Sequence, residues 1–167
     1  MSSDRITIIE SGRELSFSFE EMSRYNGGES PGGVAIAFKA LERALPLLDP
    51  SNVLERRSIW IDTAFRGPGA RDAFELVTRA VTDDRYTMVP ELERPDLGQA
   101  RARFVFRFRY LDRKVTLTLN SGFVTDEFIE LTRRDGRSTD DERRLTVLKH
   151  ELASAVMAAD AQSVFED

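Results

Sequence analysis

The feature that most constrains the fold is a strict alternation of residue types between Arg101 and Leu119. Aromatic residues fill every second position over 104–110, and the positions between them and just before them hold Arg103, Val105, Arg107 and Arg109. A period of two directs successive side chains to opposite faces of a β-strand. After a turn at Asp112-Arg113, apolar residues again alternate with threonine. The segment therefore predicts a β-hairpin with one apolar face for the core and one polar face.

Helical spacing and helix-start signals predict four helices. The first is short, begins with a capping box at Ser18 and Glu21 and ends at about Tyr25, and the second begins with Ser30-Pro31 and ends at about Leu48. The third runs from Ala70 to about Val81. The last begins with a capping box at Thr139-Asp140-Asp141-Glu142 and ends at about Gln162. A capping box satisfies backbone N–H groups that a first helical turn leaves free. Apolar residues recur at three- and four-residue spacing in the last three, so each has a face to bury.

The remaining segments are short. Residues 58–62 and 86–89 predict strands, while 5–9 and 15–17 either pair as an edge strand or lie extended. Residues 125–131 fit a helical turn and a final strand equally well. This order of elements indicates one α+β domain over residues 1–167, with helices packed on one face of a mixed, mostly antiparallel sheet. Residues 138–163 are expected to form a long C-terminal helix added to that core.

The residue counts exclude several kinds of site. The chain has 167 residues, no cysteine and one histidine, His150. Disulfides, thiolate nucleophiles, Fe–S clusters and Cys-type zinc sites are therefore excluded, and a site of three histidines is impossible. His150 has no second histidine within helical reach, so it is better explained as a packed or surface residue. We expect no metal ion and no cofactor.

The charge balance bears on the partners. Asp and Glu number 29 against 24 Lys and Arg, for a net charge of -5, whereas proteins that hold nucleic acid carry excess basic charge at least locally. This argues against nucleic acid as a partner. The first ten residues lack the pattern of a signal peptide, and no run of about 20 apolar residues could cross a bilayer. We expect a cytoplasmic protein with no membrane partner.

A glycine-rich loop is the first candidate site. Four glycines fall within the eight residues Asn26–Gly33, directly before the second predicted helix. Glycines allow close approach of the backbone, and a helix N-terminus presents free N–H groups to an anion. The loop matches neither a P-loop nor a dinucleotide-binding motif. The structural alternative is a connection between helices that needs positive φ angles.

The second candidate lies between Asp62 and Asp72, where a predicted strand ends, a Gly-Pro-Gly turn follows and a helix begins. Asp62, Arg66, Arg71 and Asp72 could converge there, because strand ends that face helix starts commonly hold ligands. The alternative is that Asp72 only interacts favourably with the dipole at the start of the helix, while the arginines are exposed to solvent. If the site is catalytic, Asp62 or Asp72 is the general base, assisted by Ser30 or Arg66.

Two further surfaces suit protein contacts. Arg103, Arg107 and Arg109 form a stripe along the predicted hairpin, on the face opposite the aromatic residues. Stacking and phosphate contact would therefore not share one surface, which favours a solvated or subunit-facing row of arginines. The apolar stripe of the last helix could bind a partner helix, although docking on the chain's own sheet is more economical.

Two runs resemble the FmdE-like family, which takes its name from one of the subunits of formylmethanofuran dehydrogenase. The run FEEMSRYNGGESPGGVAIAFKALERAL resembles that family's phenylalanine-led helix, its FHGHxCPG loop and its small-residue helix AxGYRAAxxAL. Further on, IDTAFRGPGARDAFELVTRAVTDDRYTM resembles a strand ending in ND, a short loop and the motif DAIQxxTGCTxGxGNL. The resemblance spans about residues 17–131, and it implies the family's α+β fold and a homodimer.

The departures from this family pattern concern its metal-site side chains. Where the family has two histidines and a cysteine, this chain has Asn26, Gly28 and Ser30, and the two later cysteines are also missing. The matching residues that remain are Pro31, Gly32, Asp62, Asp72 and Thr78. Asn, Gly and Ser cannot replace His and thiolate as metal ligands with comparable affinity.

Together these observations predict a cleft without a metal, between the glycine-rich loop and residues 66–72, that binds a small polar or anionic ligand. The predicted ligand-binding residues are Asn26, Gly27, Gly28, Ser30, Gly32, Arg66 and Asp72. Two alternatives remain open: an enzyme with an Asp general base in the same cleft, and an interaction module that uses the arginine stripe or the C-terminal helix.

Overall fold

The computed structural model describes residues 4–167. Its elements are, in chain order, β1 (Arg5–Glu10), β2 (Arg13–Ser18), α1 (Phe19–Asn26), α2 (Pro31–Leu48), β3 (Ile59–Thr63), α3 (Pro68–Thr78), β4 (Tyr86–Met88), β5 (Val105–Tyr110), β6 (Arg113–Leu119), α4 (Asp126–Arg133), α5 (Thr139–Ala158), α6 (Ala161–Val164) and β7 (Phe165–Glu166). Short 3-10 turns lie at Arg56–Ser58, Pro90–Leu92 and Pro95–Leu97.

Five strands form the main sheet, in the order β4-β3-β5-β6-β7. Every neighbouring pair is antiparallel except β3 and β4, which run parallel. The predicted hairpin is its centre, with Phe108 opposite Val115 and Phe106 opposite Leu117. Strands β1 and β2 pair with each other as a separate antiparallel hairpin. The chain is therefore α+β with a mixed, mostly antiparallel sheet, as predicted.

The helices cover one face of this sheet. Helix α2 is buried along most of its length and contacts α1, α3, α5 and α6 as well as β5 and β6. The aromatic residues of β5 point toward the helices, since the Phe74 ring of α3 lies 5.7 Å from Phe106 and 5.8 Å from Phe108, in edge-to-face geometry. Such pairs add to the burial of apolar surface. The alternation along β5 thus builds the core as the sequence predicts.

Helix α5 differs from the prediction at both ends. Its N-cap is Ser138 rather than Thr139, and the reciprocal capping partner is Asp141. The helix ends at Ala158 rather than near Gln162, because the backbone becomes extended at Ala159. This bend brings Val164 and Phe165 into the core, where both are fully buried. The predicted C-terminal helix over 138–163 is therefore one long helix followed by a short one, and its apolar stripe packs on α2.

The structure also decides the conformation of residues 125–131 and moves the predicted starts of α3 and of the β5–β6 hairpin. Residues 125–131 are helical, because the Thr125 hydroxyl accepts a hydrogen bond from the Phe128 N–H and so caps α4. Helix α3 starts at Pro68, two residues before Ala70, since proline suits a first helical position. The hairpin begins at Val105, and residues 101–103 form a turn. Within residues 4–167, no helix combines the length and apolar character that a bilayer span requires.

Candidate functional site

A cavity of about 510 Å³ lies where the N-terminal ends of α2 and α3 meet the helices α4 and α5. We call it the helix-start cavity. Its cationic lining residues are Arg66, Arg103, Arg133, Arg137 and Lys149, and its largest apolar ones are Phe65, Phe104, Phe128, Ile129 and Leu145. Glu29 is the one acidic residue among the lining residues that the structure describes. The cavity is therefore cationic on balance, with a substantial apolar wall.

Glycines allow the two helix starts to approach each other. A Cβ atom on Gly69 would lie 2.4 Å from the carbonyl oxygen of Ser30 and 3.0 Å from the Val34 nitrogen. A Cβ on Gly33 would lie 3.1 Å from the backbone nitrogen of Ala70. Because these neighbours are backbone atoms, they cannot turn aside as a flexible side chain would. The Pro-Gly sequence at each start thus combines a suitable first helical residue with close packing.

Neither of these helix starts has a side-chain cap. The hydroxyl of Ser30 makes no capping hydrogen bond, and Gly67 has no side chain to cap α3. The backbone N–H groups of Gly32, Gly33, Gly69 and Ala70 donate no hydrogen bond to any other residue within 4–167. The first turns of both helices also lack acidic residues. Each therefore keeps the partial positive charge of a helix N-terminus.

Most of the cationic side chains are not neutralised by carboxylates. Within residues 4–167, Arg66 and Arg133 have no ion-pair or hydrogen-bond partner, and Lys149 donates only to the carbonyl oxygen of Glu29, at 3.2 Å. Arg103 lies 3.7 Å from a Glu93 carboxylate oxygen. Arg137 differs, since it pairs with Glu142 at 2.8 Å and also donates to backbone carbonyls at the end of α4. Three of the five cations, Arg66, Arg133 and Lys149, thus have no carboxylate partner within residues 4–167 and are available to an anion.

Three of the predicted ligand-binding residues line this cavity, namely Ser30, Gly32 and Arg66. Asn26 and Asp72 do not line it but are hydrogen bonded to each other, from Asn26 Nδ2 to Asp72 Oδ2 at 2.9 Å. The Asn26 Oδ1 atom also accepts from the Ser30 N–H at 3.0 Å. These two contacts tie the end of α1 to the starts of α2 and α3. Asn26 and Asp72 therefore position the loop.

Gly27 and Gly28 also lie outside the cavity lining. Their φ angles are +88° and +82°, and a Cβ at either would meet no neighbouring atom within 4 Å. The N–H groups of both donate to the carbonyl oxygen of Ser23, which closes the C-terminus of α1. These glycines serve the left-handed turn that ends the helix, so at these two positions the loop is a connection that needs positive φ angles.

The structure does not bring Asp62 together with Asp72. Asp62 is 3% exposed and lies on the face of the sheet turned away from the helices, which we call the second sheet face. Arg107 lies 2.9 Å and Arg109 3.2 Å from its Oδ2 atom. The guanidinium of Arg109 also lies 5.1 Å from the ring centroid of Trp60, a cation–π distance. Asp62 therefore organises part of the arginine stripe.

The alternation in the sequence extends to Arg103 and so predicts this residue in the arginine stripe. Strand β5 begins only at Val105, so Arg103 sits in the preceding turn and lines the helix-start cavity. Lys149 and Arg133 were not predicted at all. They stand more than 60 residues from Arg66 along the chain, and only tertiary packing joins them. One feature of the sequence could have indicated Lys149, because the helical period of α5 puts it next to the buried face formed by Leu145 and Leu148.

His150 is exposed on α5, where its Nδ1 atom lies 2.9 Å from the carbonyl oxygen of Thr146. Across the described part of the chain, no three His, Cys, Asp or Glu residues are grouped so that they could hold a metal ion. Apart from Glu29 and the neutral polar side chains, the groups that the cavity offers are backbone N–H donors, guanidinium groups and one ammonium group. This donor set suits an anion, since all of these groups are hydrogen-bond donors or positive charges.

No protein-family model matches this chain, and no curated protein is significantly similar to it. The resemblance to the FmdE-like family consequently stays a prediction that rests on the two quoted runs.

Proposed function

We propose that this protein binds a small anionic ligand in the helix-start cavity, as an FmdE-like domain whose cleft works without a metal. One observation carries the proposal: two uncapped helix N-termini open on the same cavity as three cations, Arg66, Arg133 and Lys149, that have no carboxylate partner within residues 4–167. Each helix start carries a partial positive charge, and charge-assisted hydrogen bonds are the stronger kind. A ligand anion would satisfy both groups of donors together.

The helix starts and the cations make different contributions. The backbone N–H groups are held by close packing between Gly33 and Gly69, so they would need little reorganisation to bind. Arg66 and Lys149 stand beside the two starts, since Arg66 directly precedes Gly67 and Lys149 contacts the carbonyl of Glu29. The packed backbone would set the position of the anion, and the side chains would supply most of the charge.

The test is isothermal titration calorimetry at low ionic strength, with inorganic phosphate, pyrophosphate and citrate as probes. We expect saturable binding of at least one probe, weakened by added salt because screening reduces the attraction. Arg66→Gln and Lys149→Gln should each weaken binding about tenfold, as expected for one hydrogen bond to a charged group.

Arg71→Gln is the matched control. Arg71 carries the same charge, lies exposed on α3 close to the cavity and does not line it. This variant should leave the affinity within about twofold of the unmodified protein, because an exposed charge at greater distance is screened. Equal losses in Arg71→Gln and Arg66→Gln, or no binding of any probe, would contradict the proposal.

The second sheet face supports a second candidate function, protein association through the arginine stripe. Trp60 is 41% exposed there with the Arg109 guanidinium over its ring, and Trp and Arg are enriched among residues that dominate binding energy at interfaces. We propose that this face forms the contact of a homodimer, the assembly that the family resemblance implies.

Sedimentation velocity over a range of concentrations tests the homodimer. We expect a concentration-dependent dimer that Trp60→Ser abolishes. Val147→Ser serves as the control, because Val147 is an exposed apolar residue on α5, away from the sheet, and the dimer should persist in it. A monomer at all concentrations, or a dimer unaffected by Trp60→Ser, would contradict this assignment.

A further inference from the structure

The helix-start cavity has more apolar lining than an inorganic anion could use. Phe65 and Phe104 stack with their ring centroids 4.5 Å apart and an angle of 27° between the rings. Phe128 of α4 contributes a further half-buried ring, and Ile129 of the same helix adds an aliphatic side chain. An ion such as phosphate has no apolar surface to place against these groups. The wall therefore indicates a ligand that has an apolar part.

The size of the cavity leads to the same conclusion. Sites for drug-sized ligands commonly have volumes of about 300–1,000 Å³, with mostly apolar walls and a few placed polar groups. The helix-start cavity, at about 510 Å³, lies within this range. Its polar groups lie at the two helix starts, at the end of α4 and in the segments that hold Gln99, Arg103 and Arg137. The aromatic and aliphatic side chains come from α4, α5, the residue before β5 and the residue before Arg66.

The charges favour a group with more than one negative charge. Arg66, Arg133 and Lys149 have no carboxylate partner within residues 4–167, and Glu29 is the single acidic residue among the described lining residues. A carboxylate would compensate one of these charges, whereas a phosphate monoester carries nearly two at neutral pH. Two of these three cations, Arg66 and Arg133, are guanidinium groups, whose planar fork matches phosphate oxygens in bidentate geometry. Phosphate is therefore a better match than a monocarboxylate.

We infer that the ligand is a phosphate monoester of an aromatic or branched apolar group. The phosphate binds at the starts of α2 and α3, between Arg66 and Lys149, and the apolar group lies against Phe65 and Phe128. This inference rests on the proposed function, because it specifies which anion the same cavity takes.

The test compares four probes by calorimetry on the full chain: inorganic phosphate, phenyl phosphate, benzoate and phenol. We expect phenyl phosphate to bind at least about tenfold more tightly than inorganic phosphate, since its ring is buried against the aromatic wall. Benzoate should bind about tenfold more weakly than phenyl phosphate, because it carries one charge and fewer acceptor oxygens. Phenol should show no measurable binding.

Two substitutions separate the parts of the site. Phe65→Leu keeps an apolar side chain but removes the ring, and it should reduce the preference for phenyl phosphate over phosphate about threefold while the affinity for phosphate is unchanged. Arg66→Gln should weaken both phosphates equally. Phe123→Leu is the control for the loss of a ring, since Phe123 is also half-buried against the core but outside the cavity, and it should leave the preference unchanged.

The outcomes distinguish the two proposals. Equal affinities for phosphate and phenyl phosphate would overturn the inference and leave anion binding intact. Benzoate binding as tightly as phenyl phosphate would overturn the assignment of a phosphate group. If none of the anionic probes binds, the proposed function itself fails.

Discussion

The starts of the five longer helices fall into two groups. Ser18, Thr125 and Ser138 each accept a hydrogen bond from a backbone N–H in the first turn of α1, α4 and α5, and the first and last of these complete capping boxes. Helices α2 and α3 instead begin with Pro-Gly and have neither a side-chain cap nor an acidic residue in the first turn. The second group is the pair that meets at the helix-start cavity.

The two groups of helices use the free backbone N–H groups of their first turns differently. In α1, α4 and α5 the free N–H groups at the helix start are satisfied by the chain itself, which stabilises each helix locally. In α2 and α3 the stability comes from burial and from the contact between the two helices, so the helix starts need no local cap. Their N–H groups remain available to a ligand.

The largest effect is expected when the contact between the two uncapped starts is broken. Gly69→Ala would place a Cβ atom 2.4 Å from the Ser30 carbonyl oxygen, so the helices must move apart. We expect a loss of about 2 kcal/mol or more in the free energy of unfolding, as for other overpacked positions. Urea denaturation measures it.

Gly28→Ala is the comparison for this substitution. The added Cβ has open space around it but must adopt a φ near +82°, which costs about 1 kcal/mol. If Gly28→Ala destabilises the protein more than Gly69→Ala, the close packing of α2 on α3 is less important than the structure indicates.

A smaller effect is expected from removing the serine hydroxyls. Ser138→Ala should lower the free energy of unfolding by about 1 kcal/mol because it removes the cap of α5. Ser30→Ala should change it by only a few tenths, about the range of an ordinary surface substitution, because that hydroxyl caps nothing. Urea denaturation measures both changes in the free energy of unfolding. Equal losses for Ser138→Ala and Ser30→Ala would show that capped and uncapped helix starts do not differ in this way.

The smallest effect is a difference in acid sensitivity. The hydrogen bond from the Ser138 N–H, assisted by Arg134 and opposed by partial burial, holds the pKa of Asp141 below its ordinary value of 3.8. The ionised carboxylate therefore stabilises the fold above about pH 3.8, and this contribution is lost as the pH falls through the lower pKa of the folded state.

Denaturation at pH 6 and pH 3 tests whether the Asp141 carboxylate stabilises the fold only when it is ionised. The difference in stability between the unmodified protein and Asp141→Asn should shrink at pH 3. The corresponding difference for Ser30→Ala should stay constant, because no carboxylate takes part at the start of α2. A pH-independent effect of Asp141→Asn would show that its carboxylate does not stabilise the cap.

The elements that follow from local signals could be predicted from the sequence. The capping box of Ser18 and Glu21 marks α1, and alternation marks the β5–β6 hairpin. Residues 125–131 were ambiguous because so short a segment contains too few helical turns to show a period. Strand β7 has only two residues and no pattern of its own, so it exists only because β6 offers it a pairing edge.

The candidate site was predictable only in part. Ser30, Gly32 and Arg66 lie close to helix starts that proline and glycine mark in the sequence. Arg133 and Lys149 belong to surfaces whose direction depends on how α4 and α5 pack, and no local pattern records that. Asp62 was expected near Asp72 because both flank one loop, but a strand side chain in that position faces away from the helices.

The outer strands of the main sheet have a consequence for association between molecules. β4 has three residues and β7 has two, whereas the strands between them have five to seven. Because β7 pairs only with Thr118 and Leu119, residues 113–117 of β6 keep one edge without a strand partner, but the charges of Arg113 and Lys114 at that edge disfavour edge-to-edge growth of the sheet between molecules. We therefore expect self-association of this chain to depend on side chains presented by its faces, where a single substitution can abolish it.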